Sequence, residues 1–282
     1  MEKMQVRSSD GTTIGFRQTG GGPGIILLHG GMEHSGDYAE LAEQLAEHFS
    51  VYAVDRRGRG LSGPHGDHYA LAVEVEDVAA VLAATGAKYL FGVSSGATLA
   101  LWCALKLDSV EAVIAYEPAL TIPGHGSDAF IARYERDIAR GDLAAAMVTI
   151  LKGARLGPRF LRLLPRKVAE TLVKKLLLDE SASDDADEVP FAELIPTQHY
   201  DFLLEKEASS HLDEFAALDR PLLLLGGTVG PKYLTAALEH LTQVTEAKQV
   251  AFRGLSHAGA ANRKGGGRPD LVAAAIRDFL EN

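Results

Sequence analysis

A chain of 282 residues, 46% hydrophobic and 23% charged, has ordinary globular composition and is long enough for one large α/β domain or a domain carrying a sizeable insertion. Its formal net charge of −10 disfavours nucleic acid or an anionic membrane surface as partner, since the overall field attracts neither, and leaves a small-molecule substrate as the default ligand. There is no apolar run near the ~20 residues of a membrane helix and no apolar signal core at the start, so a cytoplasmic protein is expected; the single cysteine, Cys103, excludes an internal disulfide and a cysteine-based metal cluster.

In chain order, short β-rich runs at 5–8, 13–18, 25–28, 51–55, 88–93 and 110–116 alternate with amphipathic helical patterns at 37–47, 72–84 and 95–107. Such alternation predicts a mostly parallel sheet covered on both faces. From about 121 to 218 the pattern is helical only, clearest at 129–140, 143–151 and 165–178. That stretch is too long for a loop and reads as an inserted helical cap. The sheet resumes with Pro221 opening a strand at 222–225, then a helix at 233–241, a last strand at 249–252 and a closing helix at 269–280. The expected organisation is a core of residues 1–120 and 219–282 and a cap of 121–218.

Within the cap, Lys152, Arg155, Arg159, Arg162, Arg166, Lys167, Lys174 and Lys175 precede the acidic Asp179, Glu180, Asp184, Asp185, Asp187 and Glu188, which read as solvated faces and a polar linker. Cys103 lies in an apolar helical run and reads as a core residue.

Three motifs fall at strand ends. His29-Gly30-Gly31 follows the third strand at the carboxyl edge, where open α/β sheets bind ligands. Glycines there let the backbone turn its N–H groups toward a bound oxygen, so the Gly31 and Ser95 N–H groups form a candidate oxyanion hole. His29 itself reads as a hydrogen-bonded strand-end residue. In Asp55-Arg56-Arg57-Gly58-Arg59-Gly60-Leu61-Ser62, the spacing Gly58, Gly60, Gly63 matches the dinucleotide fingerprint, but Pro64 and a loop follow where that fingerprint opens a helix. Gly92-Val93-Ser94-Ser95-Gly96 reads G-x-S-x-G between a strand and a helix, which makes Ser94 the candidate nucleophile.

Together, in order and spacing, these three motifs resemble those of the α/β-hydrolase-fold superfamily: its oxyanion strand, the loop after its fourth strand and its nucleophile elbow. The resemblance covers the whole chain, the helical insertion after the sixth strand included, and implies a mostly parallel eight-stranded sheet with helices on both faces and a Ser, acid, His triad in that order. His257, in Gly254-Leu255-Ser256-His257 past the last strand, stands where the superfamily places its histidine.

The acid departs from the pattern. After the seventh strand the superfamily has a glycine, two residues and an aspartate, whereas this chain has Gly227-Thr228-Val229-Gly230. Asp219 precedes that strand and belongs to the opposite edge. Glu117, ending the sixth strand, is the favoured substitute: neighbouring strands are ~4.8 Å apart, a shift the longer side chain partly absorbs, and Pro118 biases Glu117 toward an extended backbone. The competing role for Glu117 is to anchor the cap, and a triad without an acid is a further alternative. Met32, beside the oxyanion turn, is a candidate for lining the pocket or for plain packing.

The expected function is that of a cofactor-free, metal-free serine hydrolase cleaving a small carboxylic ester, thioester or lactone through an acyl-enzyme. A lyase or perhydrolase-like enzyme, or a ligand-binding receptor on the same scaffold, are the alternatives.

Overall fold

The computed structural model describes every residue except 127, 158 and 181–187, and all but the side chain of 159. The elements run β1 (Glu2–Arg7), β2 (Thr13–Thr19), β3 (Gly24–Leu28), α1 (Ala39–Leu45), β4 (Ser50–Val54), α2 (Leu71–Thr85), β5 (Tyr89–Val93), α3 (Ser95–Lys106) and β6 (Ala112–Tyr116). Among the described residues five helices follow: α4 (Ile131–Ala139), α5 (Leu143–Gly153), α6 (Arg159–Leu163), α7 (Arg166–Glu180) and α8 (Phe191–Ser209). The chain closes with β7 (Leu222–Gly227), α9 (Lys232–Val244), β8 (Lys248–Phe252) and α10 (Pro269–Glu281).

Among the described residues the eight strands form one sheet in the order β1-β2-β4-β3-β5-β6-β7-β8. β1/β2 and β2/β4 are antiparallel and every other pair is parallel. The parallel strands β3 to β7 are near-continuous apolar runs because both faces are covered, while the edge strand β8 is largely exposed. One face packs with α2, α3 and α9, through Leu90, Val113, Leu101, Val81 and Leu238. The other packs with α1 and α10, through Leu27, Phe91, Ile114, Leu41 and Ile276. Cys103 is buried in the first cluster, as its apolar neighbours implied. Each predicted strand lies within three residues of its observed limits.

The helices between β6 and β7 carry their own apolar cluster of Tyr134, Ala146, Met147, Ile150, Val173, Ile195 and Phe202. Of the eight basic residues there, Arg166 is paired with Asp137 at 3.0 Å and Glu170 at 2.5 Å. Asp184, Asp185 and Asp187 lie outside the described residues, as does the side chain of Arg159. No helix among the described residues is long and apolar enough to cross a membrane.

Candidate active site

At the turn from β5 into α3, Ser94 has φ 55° and ψ −123°, a conformation an L-residue keeps only under constraint, at a cost of about 1–3 kcal/mol. Here the constraint is backbone packing. A side chain on Gly92 would run into the Gly96 carbonyl, and one on Gly96 into the carbonyls of Leu28 and His29, so only glycine lets strand, helix and β3 approach this closely. The Ser94 N–H donates to the Tyr116 carbonyl at 3.0 Å, and the Ser94 carbonyl accepts from Ala119 N at 3.2 Å, tying the elbow to the end of β6.

β3 delivers the His29-Gly30-Gly31 turn against that elbow: a Cβ built on Gly30 would lie 3.0 Å from Ser94 Cβ. Burial, with Arg59 and Arg56 nearby, pushes the His29 imidazole well below its usual range. Its Nε2 accepts from Arg56 N at 3.1 Å and its Nδ1 faces the Gly30 carbonyl at 2.8 Å, so it serves the turn structurally, as expected. The Gly30 N–H is taken by Glu33 Oε2 at 2.8 Å. Among the described residues no acceptor engages the N–H of Gly31 or of Ser95, and the latter heads α3, where the helix dipole favours negative charge. Met32 has φ 56° and packs against the apolar cluster of the β6–β7 helices.

His257 opens a short 3-10 turn after β8, positioned by the Tyr116 hydroxyl, which donates to the Ser256 carbonyl at 2.8 Å. Its Nδ1 lies 2.7 Å from Glu117 Oε2. The second carboxylate oxygen, Oε1, accepts from Gly227 N at 2.8 Å, and Glu117 is buried. A Cβ on Gly230, where the usual aspartate would stand, would lie 3.6 and 3.8 Å from the two Glu117 oxygens. The carboxylate that follows β6 therefore borders the space that a side chain after β7 would otherwise enter, and the backbone N–H at the end of β7 accompanies it.

One expectation is corrected. Glu117 is not extended but left-handed, φ 45°. Pro118 disfavours the right-handed helical region of the preceding residue, which leaves the extended and left-handed regions. The choice is tertiary: Glu117 N is fixed to the Leu225 carbonyl at 2.9 Å and Ala119 N to the elbow, and the chain bends sharply between them.

Several residues at this edge went unread in the sequence. Glu33 accepts from Gly30 N and from the Tyr38 hydroxyl at 2.6 Å; burial, then Asp37, push its carboxyl up to about 7 against the pull of Tyr38, Gly30 and His257. From α8, the Gln198 carboxamide occupies the space beside Gly31 that a side chain there would need. One turn on, Asp201 is wholly buried. It accepts from Ser95 Oγ and Arg56 at 2.8 Å each and from Arg59 at 2.5 Å, while Arg56 also pairs with Glu74 at 2.7 Å. Burial works against its charge, but the two guanidiniums hold its carboxyl below the usual range. Glu205, one further turn along, is pushed well above it by burial and by Asp201. Positions 198, 201 and 205 follow a helical period, yet Pro196 inside α8 obscures the pattern that would have revealed it.

Residues 23–193 match the family described as serine aminopeptidase, S33 (Hydrolase_4). A pimeloyl-[acyl-carrier protein] methyl ester esterase from Xanthomonas campestris pv. campestris (strain B100) is 35% identical over 162 residues, 55% of this chain and 62% of that one. The match thus spans less than two thirds of that relative's length. Among solved structures, an alpha/beta hydrolase from Sphaerobacter thermophilus DSM 20745 superposes with a TM-score of 0.78 at 26% identity over 98% of this chain and all of that one. An esterase, RhEst1, from Rhodococcus sp. ECU1013 superposes with a TM-score of 0.69 at 23% identity over 100% and 99% of the two chains. With its eight-stranded sheet, its elbow at Ser94 and a family match over residues 23–193, the chain belongs to the Hydrolase_4 family of the α/β-hydrolase-fold superfamily.

Proposed function

We propose that the protein is a serine hydrolase of carboxylic esters that works through an acyl-enzyme, with Ser94, His257 and Glu117 as its triad. The observation that carries this reading is the 2.7 Å contact between His257 Nδ1 and a buried Glu117, on the sheet edge that bears the elbow. Such a contact fixes the tautomer, leaving Nε2 to take the Ser94 proton as Oγ attacks the ester carbonyl. The carbonyl electrons pass to oxygen, which is met by the N–H groups of Gly31 and Ser95 at the positive end of α3. Collapse expels the alcohol, protonated by His257; water then attacks the acyl carbon with His257 again as base, releasing the acid and restoring Ser94.

The esterase named among the curated relatives supports an ester substrate. The Glu117 contact favours catalysis over a receptor, since binding alone needs no carboxylate holding the histidine, and the ester named among the relatives favours hydrolysis over a lyase with His257 as base. Residues 121–218 act as a cap: Gln198 borders the oxyanion turn, and Asp201 fastens α8 to the first residue of α3, so substrate enters past the cap rather than through a swinging of α8.

A fluorophosphonate followed by intact-mass measurement tests the reading. One adduct is expected, lost in Ser94→Ala; an unlabelled folded protein would sink the proposal. A series of chromogenic esters graded by acyl length then measures the reach of the pocket.

A further inference from the structure

The charge of the chain is unevenly spread. Residues 152–178 hold eight lysines and arginines against one carboxylate, Glu170, a local +7, so the rest of the chain carries −17. The described residues of this segment are the end of α5, residues 154–157, α6 and α7 as far as Leu178, the two carboxylates that close α7, Asp179 and Glu180, lying just beyond it. α7 turns Ala169 and Val173 inward, while Val168, Leu172 and Leu176 recur every four residues as an exposed stripe, and Lys167, Lys174 and Lys175 are exposed as well. α6 adds Phe160, 61% exposed, and Leu163, 83% exposed.

Beside them a depression of about 290 Å³ is lined by Lys152, Arg155, Arg162 and Leu163. Lys152 Nζ donates to the carbonyls of Arg162 and Leu164 at 2.7 Å each, and Arg162 donates to the Arg155 carbonyl. Lys152 and Arg162 are thus held by carbonyls that leave their charges intact, and Arg155 lines the same depression. Among the described residues no carboxylate pairs with any of the three, which stand next to large apolar side chains in water. A polyanion would answer the cations and leave Phe160 and Leu163 bare. A bilayer of anionic phospholipid answers both at once, phosphates meeting the cations and acyl chains taking the apolar side chains.

We propose that residues 152–178 seat the protein on an anionic phospholipid surface, with a headgroup phosphate in the Lys152, Arg155 and Arg162 depression. The −17 on the remainder repels that surface and leaves one orientation, this segment downward. The whole-chain charge points the other way only because it averages over distances far longer than the ~8 Å at which salt screens. Seating is read by binding and not by turnover, so it stands or falls apart from the triad.

The experiment is co-sedimentation of the full chain with vesicles of phosphatidylcholine alone or mixed with phosphatidylglycerol. Binding is expected only with phosphatidylglycerol, and it falls steeply with salt. Arg155→Ser/Arg162→Ser and, on exposed helix surface, Lys174→Ser/Lys175→Ser each lower the partition coefficient about 30-fold, about 1 kcal/mol per cation. Leu163→Ser lowers it about tenfold at constant charge, and none of the three shifts the melting temperature. The proposal is overturned by no binding to anionic vesicles at low salt, by both double variants binding like the parent, by polyglutamate binding without vesicle binding, which assigns the patch to an acidic protein, or by retention of inorganic phosphate alone.

Discussion

The sheet edge around Ser94 and the helical layer above it are held in place by different physics. At the edge, position comes from backbone: left-handed bends at Ser94 and Glu117, glycines at 92 and 96 that admit close approach, and main-chain hydrogen bonds between the ends of β5, β6 and β7. The helical layer packs on its own apolar cluster and meets the elbow through a buried charge cluster centred on Asp201. Chemistry and stability are accordingly separable. Side-chain changes at the edge, which leave the backbone frame intact, should alter turnover at nearly constant stability, and changes at the Asp201 joint should do the reverse.

The largest effect is expected from removing the charge that holds His257. Glu117→Gln keeps the size and one acceptor for Gly227 N–H but gives up the carboxylate, so kcat should fall about 10³–10⁴-fold with the melting temperature unchanged. Turnover near that of the parent would remove Glu117 from the mechanism. The closeness of position 230 to the Glu117 oxygens sharpens the test: Gly230→Asp added to Glu117→Ala places a carboxylate where the superfamily carries it and should recover at least about tenfold of the lost kcat. No recovery would mean that the loop after β7 cannot reach the histidine.

At the joint, Asp201→Asn leaves the Arg56 and Arg59 guanidiniums short of a buried counter-charge. Breaking one partner of such a cluster costs about 3–5 kcal/mol, read as a lower urea midpoint at constant m. A loss under about 1 kcal/mol would show that apolar packing alone fastens α8.

What could be read from residues alone divides along the same line. The strands, the elbow and the His29-Gly30-Gly31 turn were legible because each is local: apolar runs and glycines at fixed offsets state their own geometry. The contact between His257 and Glu117 was legible because the resemblance supplied an order and the order left a gap. The left-handed bend at Glu117 was not, since it is set by the Leu225 carbonyl and the elbow, more than a hundred and about twenty residues away in sequence. Nor were Gln198 and Asp201, whose partners Gly31, Arg56, Arg59 and Ser95 lie on the far side of the sheet-to-helix divide. The basic stretch from Lys152 to Lys175 was visible as composition, but only the fold shows apolar side chains standing exposed among its charges.

Glu33 is the exception at the edge, a side chain whose titration acts on stability. An exposed glutamate titrates near 4.5, and burial, followed by the Asp37 charge, raises this carboxyl to about 7. The neutral form is therefore the one the fold prefers. Its stabilisation is fully present below pH 4.5 and is lost as pH rises through 7, by up to about 3 kcal/mol. Glu33→Gln should flatten the slope of unfolding free energy against pH across that interval. An unchanged slope would assign it to another group.

The smallest effect is expected at Asp219, and it is informative for that reason. Asp219 immediately precedes Arg220, with which it pairs at 3.4 Å, and its side chain is 78% exposed at the entrance to β7, the edge of the sheet opposite Ser94. A screened surface pair of this kind contributes about 0–1 kcal/mol, and no carboxylate there can reach an imidazole at the carboxyl ends of the strands. Asp219→Asn should leave kcat unchanged within error and the unfolding free energy within about 0.5 kcal/mol. A large loss of turnover with the fold intact would require an acid reaching His257 from a position the sheet forbids. It would then be the assignment of Glu117, and with it the division between edge and joint, that failed.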